Sequence, residues 1–214
     1  MRFTSTATAA VPASGQTYTF TPPASLGALT YATLPATENF DAAPWANGNA
    51  LQDLPSTSSW RSWPVFGDRS WRRHDVSLGV NSGWALITGS VTMSAPASGG
   101  VARFHSYNAT CTRSGYLDFH INMNVAGTKF LTFDRINTSG TDILQVYLSA
   151  DGGATFGAAL ATYGVDATWS SKSVNLGTGT SSTAVVRFVG ISDYGTTDHA
   201  IDNVSITAVS CAPP

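Results

Sequence analysis

The stretch that decides the fold lies near the end of the chain and runs Asp198-His199-Ala200-Ile201-Asp202-Asn203-Val204-Ser205-Ile206-Thr207. Because side chains alternate between the two faces of a strand, a period of two puts Ala200, Val204 and Ile206 on one face. Asp202 falls on the same core-facing side. A buried carboxylate is costly unless it is hydrogen-bonded, paired or bound to a cation. The stretch therefore predicts a strand whose aspartate needs a partner elsewhere in the chain.

The same alternation recurs upstream of this stretch. It is clearest between Leu117 and Val125, where apolar residues at odd positions face one way and Asp118, His120 and two asparagines face the other. This pattern predicts a strand with one solvent-facing side. Further strands are predicted at 84–88, 101–107, 129–136, 142–149, 169–176 and 184–191. Many short strands, turns rich in glycine and asparagine, and no amphipathic helix predict an all-β jelly-roll sandwich of two antiparallel sheets.

The composition restricts the class of protein. The chain has 214 residues, of which 43% are hydrophobic and only 11% are charged, and its net charge is −2. These values are typical of a folded, secreted β protein and give no basic footprint for a nucleic acid. No apolar run is long enough to span a membrane. Cys111 and Cys211 lie outside any Cys-x-x-Cys pair, which argues against zinc or thioredoxin-type chemistry and leaves both a disulfide and free thiols open.

Three segments are distinguished along the chain. Residues 1–36, rich in alanine, threonine, serine and proline, predict an N-terminal tail or linker. Within it, residues 16–21 alternate, which predicts a strand that docks on the body with Tyr18 and Phe20 inward. Residues 37–210 form the predicted sandwich domain, and residues 211–214 are interpreted as the start of a following domain or linker.

A series of landmarks in a fixed order adds a family resemblance. The series is Glu38-Asn39-Phe40-Asp41, Trp45, Trp71-Arg72-Arg73, residues 102–108, Leu131-Thr132-Phe133-Asp134, residues 142–153, Trp169, Arg187-Phe188-Val189-Gly190 and residues 200–206. It resembles the bacterial choice-of-anchor J and cleaved-adhesin domains, which are similar to the MAM domains of animal cell-surface proteins. The resemblance implies a MAM-like, concanavalin-like jelly roll. It also implies an extracellular or cell-surface protein, commonly from Bacteroidetes.

Two details qualify the resemblance. MAM domains carry a cysteine just before the strand that here begins near Phe130, and this chain has none there. The pairing of Cys111 with Cys211 is therefore not inherited from that family. The closing residues, from Cys211 to Pro214, resemble the start of a fibronectin type III-like repeat, as expected for a segment of a modular surface protein.

The resemblance also implies a structural cation, Ca²⁺, between the opening acidic residue and the aspartate of the closing strand. These residues are Asp41 and Asp202 here, with Glu38 and Asp75 as further candidate ligands. An oxygen-ligated Ca²⁺ would neutralise the core-facing Asp202 and tie the two ends of the domain together. The alternative is that Asp202 accepts hydrogen bonds from backbone N–H groups or from Arg187.

Catalytic motifs are not found in the sequence. It has neither a Gly-x-Ser-x-Gly elbow nor a His-Glu-x-x-His pair, and His74, His105 and His120 are scattered. We therefore predict that the protein is not an enzyme. Three tryptophans that fall in predicted loops, Trp60, Trp63 and Trp71, are candidates for stacking on sugar rings.

The leading hypothesis is a non-catalytic adhesion or accessory module of a secreted bacterial surface protein, with a structural Ca²⁺. Its ligand would be a surface glycan, a protein or a neighbouring domain of the same surface protein. The first alternative is a carbohydrate-binding module of a polysaccharide-degrading enzyme. The second is a subunit of an extracellular filament, in which the strand around Tyr18 and Phe20 inserts into a neighbour. Neither a nucleic-acid partner nor a membrane span is expected.

Overall fold

The chain folds into strands joined by loops. A computed structural model describes residues 28–41, 58–64, 69–75, 100–104, 113–137, 141–192 and 199–210. Within these ranges there is no helix, and hence none that could cross a membrane. The strands are β1 Ala32–Thr33, β2 Ala36–Glu38, β3 Trp60–Trp63, β4 Trp71–Asp75, β5 Gly100–Phe104, β6 Arg113–Asn122, β7 Thr128–Asn137, β8 Ile143–Ser149, β9 Ala161–Tyr163, β10 Asp166–Gly177, β11 Ala184–Ser192 and β12 His199–Val209.

The strands form two six-stranded sheets. The front sheet has the order β1-β6-β11-β8-β9, with β3 also paired to β6. The back sheet has the order β10-β7-β12-β5-β4, with β2 also paired to β12. The pairing of β1 with β6 is parallel, whereas the other pairings are antiparallel. The all-β jelly-roll sandwich predicted from the sequence is confirmed.

The hydrophobic core lies between the two sheets. Alternate residues of β6, including Leu117, Phe119 and Ile121, are buried in it. Trp60 of β3 stacks on Phe119 with ring centroids 4.2 Å apart, and Phe133 of β7 meets Phe188 of β11 edge-on at 5.2 Å. Large aromatic side chains from both sheets therefore fill the interior, which explains much of the aromatic content of the chain.

Strand β12 contains an irregularity that the alternation rule did not anticipate. The register with β7 shifts between Asp202 and Ser205, and Asn203 has a φ of 48°. As a result Ile201, Val204 and Ile206 belong to the main core, whereas Ala200 joins a separate small cluster. The prediction that Ala200, Asp202, Val204 and Ile206 share one face was wrong, because a bulge breaks the period of two. Asp202 is nevertheless buried, as expected.

Two further expectations for β6 are corrected. His120 was predicted to face solvent, but it is buried beneath the segment that precedes β3, where its Nδ1 lies 3.2 Å from the carbonyl oxygen of Ser59. Burial lowers the pKa of its imidazole. Val125 was predicted to face inward, but it lies beyond the end of β6 and is exposed.

The structure contains strands where the sequence predicted a tail and loops. Residues 32 and 33, within the predicted tail, pair with β6 as β1. Trp60 and Trp71 were expected in loops but are buried on β3 and β4. The predicted strands at 16–21 and 84–88, both cysteines, His105 and the segment 211–214 lie outside the described residues.

Close packing between the sheets requires a glycine at position 190. A Cβ added to Gly190 would overlap the ring of Phe104, which comes from the opposite sheet. We therefore expect Gly190→Ala to lower the free energy of unfolding by about 1–3 kcal/mol through overpacking, as measured by urea denaturation. Gly157→Ala is the matched control, because a Cβ there would meet nothing within 4 Å. Equal midpoints for the two variants would contradict this account of the interface.

Candidate ligand-binding site

A cleft opens on the outer face of the front sheet. Strand register aligns Trp63 of β3, Tyr116 of β6, Val189 of β11 and Gln145 of β8 in one row across the sheet. Their neighbours along the strands, such as Leu117 and Phe188, point into the core, so this row points outward. The cleft has a volume of about 320 Å³, and its lining residues are Ser114, Tyr116, Gln145, Tyr147, Phe156, Arg187, Val189 and Ile191.

A stack of aromatic rings and a guanidinium group forms one wall of the cleft and continues beyond it. We call this stack the aromatic ladder: Trp63, Tyr116, Arg187 and Phe156. The rings of Trp63 and Tyr116 stack with centroids 5.5 Å apart and planes 22° apart. The guanidinium of Arg187 lies 4.6 Å from the Tyr116 ring and 4.0 Å from the Phe156 ring. Cation–π attraction stabilises this arrangement. Trp63 ends the ladder and is 54% exposed, so it extends the wall as an open shelf.

Arg187 of the ladder also forms an ion pair with Asp118 of β6. Arg187 lies opposite Asp118 in the register of β11 and β6, and its Nε and Nη2 donate to the two carboxylate oxygens at 2.7 Å each. Such a bidentate pair is stronger and more directional than a single contact. This pairing also excludes the alternative in which Arg187 was the partner of Asp202.

The opposite wall and the floor of the cleft differ in polarity. The Tyr147 hydroxyl donates to Oε1 of Gln145 at 2.8 Å, and the Gln145 amide lies 3.4 Å from the Thr162 hydroxyl on β9. These contacts hold an aromatic ring and an amide side by side. Val189 and Ile191 provide apolar surface. The cleft thus combines flat apolar surfaces with oriented hydrogen-bonding groups, as small-molecule sites commonly do.

The loop between β8 and β9 carries Phe156 and is held by its own hydrogen bonds. The Asp151 carboxylate accepts from the Ser149 hydroxyl at 2.6 Å and from the Thr155 backbone N–H and hydroxyl at 2.9 and 2.6 Å. These bonds lower the pKa of Asp151 to about 2. Gly152 and Gly153 have φ values of 76° and 89°, which confirms the turn predicted here. These hydrogen bonds therefore fix the conformation of the loop that carries Phe156 without a contribution from a ligand.

The three candidate tryptophans differ in their exposure to solvent. Trp60 and Trp71 are buried in the core and offer no surface to a ligand. Trp63 alone of the three is exposed, and it lies beside the cleft through its contact with Tyr116. Sequence reasoning missed Tyr116, Gln145, Tyr147 and Phe156. The alternation of β8 placed Gln145 and Tyr147 on its outer face, but only the strand register shows that they meet Tyr116 and Arg187.

Acidic residues gather at β12, where the bulge occurs. Asp202 is only 3% exposed, and its Oδ1 accepts from the backbone N–H of Asn203 at 2.7 Å. Asp134 lies opposite Asp202 in the register of β7 and β12. Burial raises the pKa of Asp202 to about 7, with smaller contributions from the negative charges of Asp41, Asp134 and Glu38. The predicted partners Asp41 and Glu38 therefore lie near enough to Asp202 to affect its charge.

The end of β2 and the residues that follow it position these two partners. The Asp41 carboxylate accepts from the Gly100 backbone N–H at 2.9 Å, and Glu38 accepts from the Phe40 N–H at 2.8 Å. Arg73 donates to the backbone carbonyl oxygens of Phe40 and Asp41 at 2.6 and 3.1 Å, and so holds the segment against β4.

Among the described residues, side chains alone do not supply a full set of ligands for a cation. Asp75 ends β4, and its backbone pairs with Gly100, the residue that also binds Asp41. In the described ranges, no three histidine, cysteine, aspartate or glutamate side chains are placed to hold a metal ion between them. Any Ca²⁺ at this point would therefore need main-chain carbonyl oxygens or water in addition to carboxylates, which Ca²⁺ accepts.

Comparisons with known proteins show the fold. The chain matches no protein-family model and no curated protein. Among solved structures, the K1 cleaved adhesin domain of Lys-gingipain from Porphyromonas gingivalis W83 has a TM-score of 0.56 and 18% identity, covering 82% of this chain and 98% of that one. The K2 domain of Lys-gingipain has a TM-score of 0.56 and 16% identity, covering 82% and 99%. The CBM22-1 xylan-binding domain from Paenibacillus barcinonensis Xyn10C has a TM-score of 0.48 and 11% identity, covering 86% and 100%.

The resemblance to cleaved adhesin domains is confirmed by the K1 and K2 domains at the level of the fold. At these identities the similarity concerns the β-sandwich and not a ligand. The finer resemblance to choice-of-anchor J and MAM domains stays a prediction.

The raised pKa of Asp202 predicts a pH-dependent stability in metal-free buffer. The folded state binds a proton at Asp202 up to about pH 7, whereas the unfolded chain releases it near the ordinary value of 3.8. Unfolding therefore becomes easier as the pH rises between these values, by at most about 4 kcal/mol. Thermal melts between pH 4.5 and 7.5 with chelator should show a stability that declines with pH in the wild type relative to Asp202→Asn, in which this contribution is absent.

The control for this experiment is Asp151→Asn. Asp151 titrates near pH 2, so its replacement should leave the slope between pH 4.5 and 7.5 unchanged. Burial of His120 lowers its pKa and adds a contribution of the opposite sign in this range, but that contribution is common to all three proteins. A wild-type stability that falls no more steeply with pH than that of Asp202→Asn would contradict the environment described for Asp202.

Proposed function

We propose that this protein is a non-catalytic adhesion or accessory module of a secreted bacterial surface protein, and that the cleft of the front sheet binds a carbohydrate. The observation that carries the proposal is the composition of the cleft. Tyr116, Tyr147 and Phe156 line it, and the exposed shelf of Trp63 continues it.

A glycan suits such a surface because a pyranose ring is amphipathic. Its C–H groups pack on aromatic and aliphatic surfaces, while its hydroxyls exchange hydrogen bonds with planar polar side chains. The Gln145 amide and the Tyr147 hydroxyl are aligned by their mutual hydrogen bond. Nη1 of Arg187 is left over from the ion pair with Asp118 as a further donor. Because these groups are already positioned, little ordering entropy is lost on binding.

The absence of catalysis is part of the proposal. Glycoside hydrolysis requires two carboxyl groups that flank the scissile bond. Among the described residues that line the cleft, none is an aspartate or a glutamate, and the adjacent Asp118 is engaged by Arg187. This arrangement supports binding without turnover. The parent protein would then be an adhesin or a polysaccharide-degrading enzyme that uses the module for targeting.

Loss of an aromatic side chain at the cleft should weaken glycan binding. We expect Tyr147→Ala and Trp63→Ala each to weaken binding about tenfold, since truncation of an aromatic anchor commonly costs more than 1 kcal/mol. Affinity electrophoresis against a panel of soluble polysaccharides would identify the ligand, and calorimetry would measure the affinities. Phe130→Ala is the matched control, because Phe130 is a partly exposed aromatic residue on β7 of the back sheet. No retention by any polysaccharide of the panel would contradict the proposal.

We also propose that Ca²⁺ binds beside β12, with Asp202 and Asp41 as ligands and Glu38 and Asp75 as further candidates. The support is geometric: a buried carboxylate lies among other carboxylates, and in the described ranges neither Asp202, Asp41, Asp134 nor Glu38 forms an ion pair. A divalent cation would offset this concentration of negative charge. When bound, it would link the segment after β2 to the closing strand.

Thermal unfolding at pH 7 with chelator and with added Ca²⁺ tests this site. At about 100 times the dissociation constant, one site adds roughly 2.7 kcal/mol, or about 5–11 °C for a domain of this size. Asp202→Asn and Asp41→Asn should lose the shift, whereas Asp151→Asn should keep it. Identical wild-type melts with chelator and with Ca²⁺ would contradict the proposed Ca²⁺ site, once elemental analysis has shown that the chelator-treated protein is free of metal.

A further inference from the structure

We propose that the cleft selects uncharged glycans, and that Asp118 is the residue that determines this selectivity by neutralising Arg187. This inference rests on the proposed carbohydrate-binding function and names the class of ligand for that same site. It follows from the charges, the contacts and the limited mobility of the ion pair.

The described residues that line the cleft carry no uncompensated charge. Arg187 is the single charged residue among them, and both Nε and Nη2 of its guanidinium are bonded to the Asp118 carboxylate. The Arg187 and Asp118 side chains are only 23% and 14% exposed, so water screens the pair weakly. The remaining lining side chains are aromatic, aliphatic, hydroxyl or amide groups.

An acidic sugar would meet opposing charges here. A sugar carboxylate placed against Nη1 of Arg187 would be attracted by the guanidinium and repelled by the Asp118 carboxylate that is bonded to it. At an effective dielectric constant of about 20, unit charges about 4 Å apart interact by roughly 4 kcal/mol, and at about 7 Å still by more than 2 kcal/mol. The net attraction is therefore small, while the ligand still loses the hydration of its carboxylate. A sugar hydroxyl accepts the same Nη1 hydrogen bond without that cost.

Arg187 is also prevented from leaving Asp118 for a ligand. Its guanidinium is held between the rings of Tyr116 and Phe156 at 4.6 and 4.0 Å, and a different rotamer would break both cation–π contacts. The loop that carries Phe156 is itself fastened through Asp151. The Arg187 guanidinium thus adds a flat surface to the aromatic ladder, and the Asp118 carboxylate neutralises its charge.

The neighbouring arginines lie outside the cleft. Arg61 lies opposite Asp118 in the register of β3 and β6, and its Nη1 donates to the backbone carbonyl oxygens of Ser58 and Trp60 at 3.3 and 2.7 Å. Arg69 lies at the far end of the ladder, 6.0 Å from the Trp63 ring. Neither residue is among those that line the cleft.

The test compares each glycan with a charged derivative of itself. β-1,4-Galactan and glucomannan are each assayed beside the product in which primary hydroxyls have been oxidised to carboxylates, so that the charge is the main difference. We expect the wild type to bind a neutral polymer at least tenfold more tightly than its oxidised form. Asp118→Asn leaves the Arg187 charge uncompensated, and it should reduce this ratio at least tenfold and make binding of the oxidised polymer sensitive to salt.

Two further variants separate charge at the cleft from other effects. Thr207→Lys adds the same unit of positive charge at an exposed position of β12 in the back sheet, and it should leave the wild-type ratio unchanged. The double variant Asp118→Asn/Arg187→Gln removes both charges, and it should restore the preference for the neutral polymer even if its overall affinity is lower. Thermal melts confirm that each variant is folded.

The possible failures are distinguishable. Wild-type protein that binds an oxidised polymer as tightly as its neutral parent overturns the selectivity while leaving carbohydrate binding intact. An unchanged ratio in folded Asp118→Asn overturns the role of Asp118. If the wild type binds neither of these polymers nor any polysaccharide of the wider panel, the proposed function fails and this inference fails with it.

Discussion

The pairing of β6 with β11 is the constraint on which the rest of the structure depends. Nine consecutive residue pairs, from Ala184 opposite Ile121 to Ser192 opposite Arg113, keep one uninterrupted register. Because a slip of one residue would exchange the two faces of a strand, this register decides together what lies in the core and what lies in the cleft. It buries Leu117, Phe119 and Phe188, and by the same alternation it turns Tyr116, Asp118 and Arg187 outward.

The outward face shows how strand pairing holds side chains in a fixed arrangement. The Asp118–Arg187 pair is cross-strand, and each member is also fixed by its place in the register. The rings of Tyr116 and Phe156 pack against the Arg187 guanidinium and fix its orientation. A partly buried ion pair contributes little net stability, since desolvation offsets much of its attraction. Its effect here is to set the electrostatic character of the cleft.

In the back sheet, by contrast, acidic side chains gather at an irregular position, the bulge of β12. At the bulge of β12, Asn203 adopts a positive φ and donates its side-chain amide to Asp134 at 3.0 Å. The local break in pairing leaves room for carboxylates beside the strand that closes the domain. The front sheet therefore presents a regular outward surface with a cleft, whereas the back sheet presents a local concentration of negative charge.

The sequence by itself determined the class of fold, most of the strands from β5 onward and the burial of Asp202, because alternation within one strand is a local property. It also identified Glu38 and Asp41 as neighbours of Asp202 through a family resemblance. It did not reveal β1 to β4. β1 to β3 have too few residues to show a period, and β4, Trp71–Asp75, has no alternation of apolar and polar residues. The burial of Trp60, Trp71 and His120 likewise depends on which strand covers which face.

Only the tertiary structure decided the composition of the cleft. Tyr116, Gln145, Tyr147, Phe156 and Arg187 come from three strands and a loop that are far apart in the chain, and nothing in the local pattern states that they meet. The bulge at Asp202 was equally hidden, since a period of two fits the residues on either side of it. Pairing register and bulges arise from contacts between distant segments, and these contacts decided where each alternating side chain ended up.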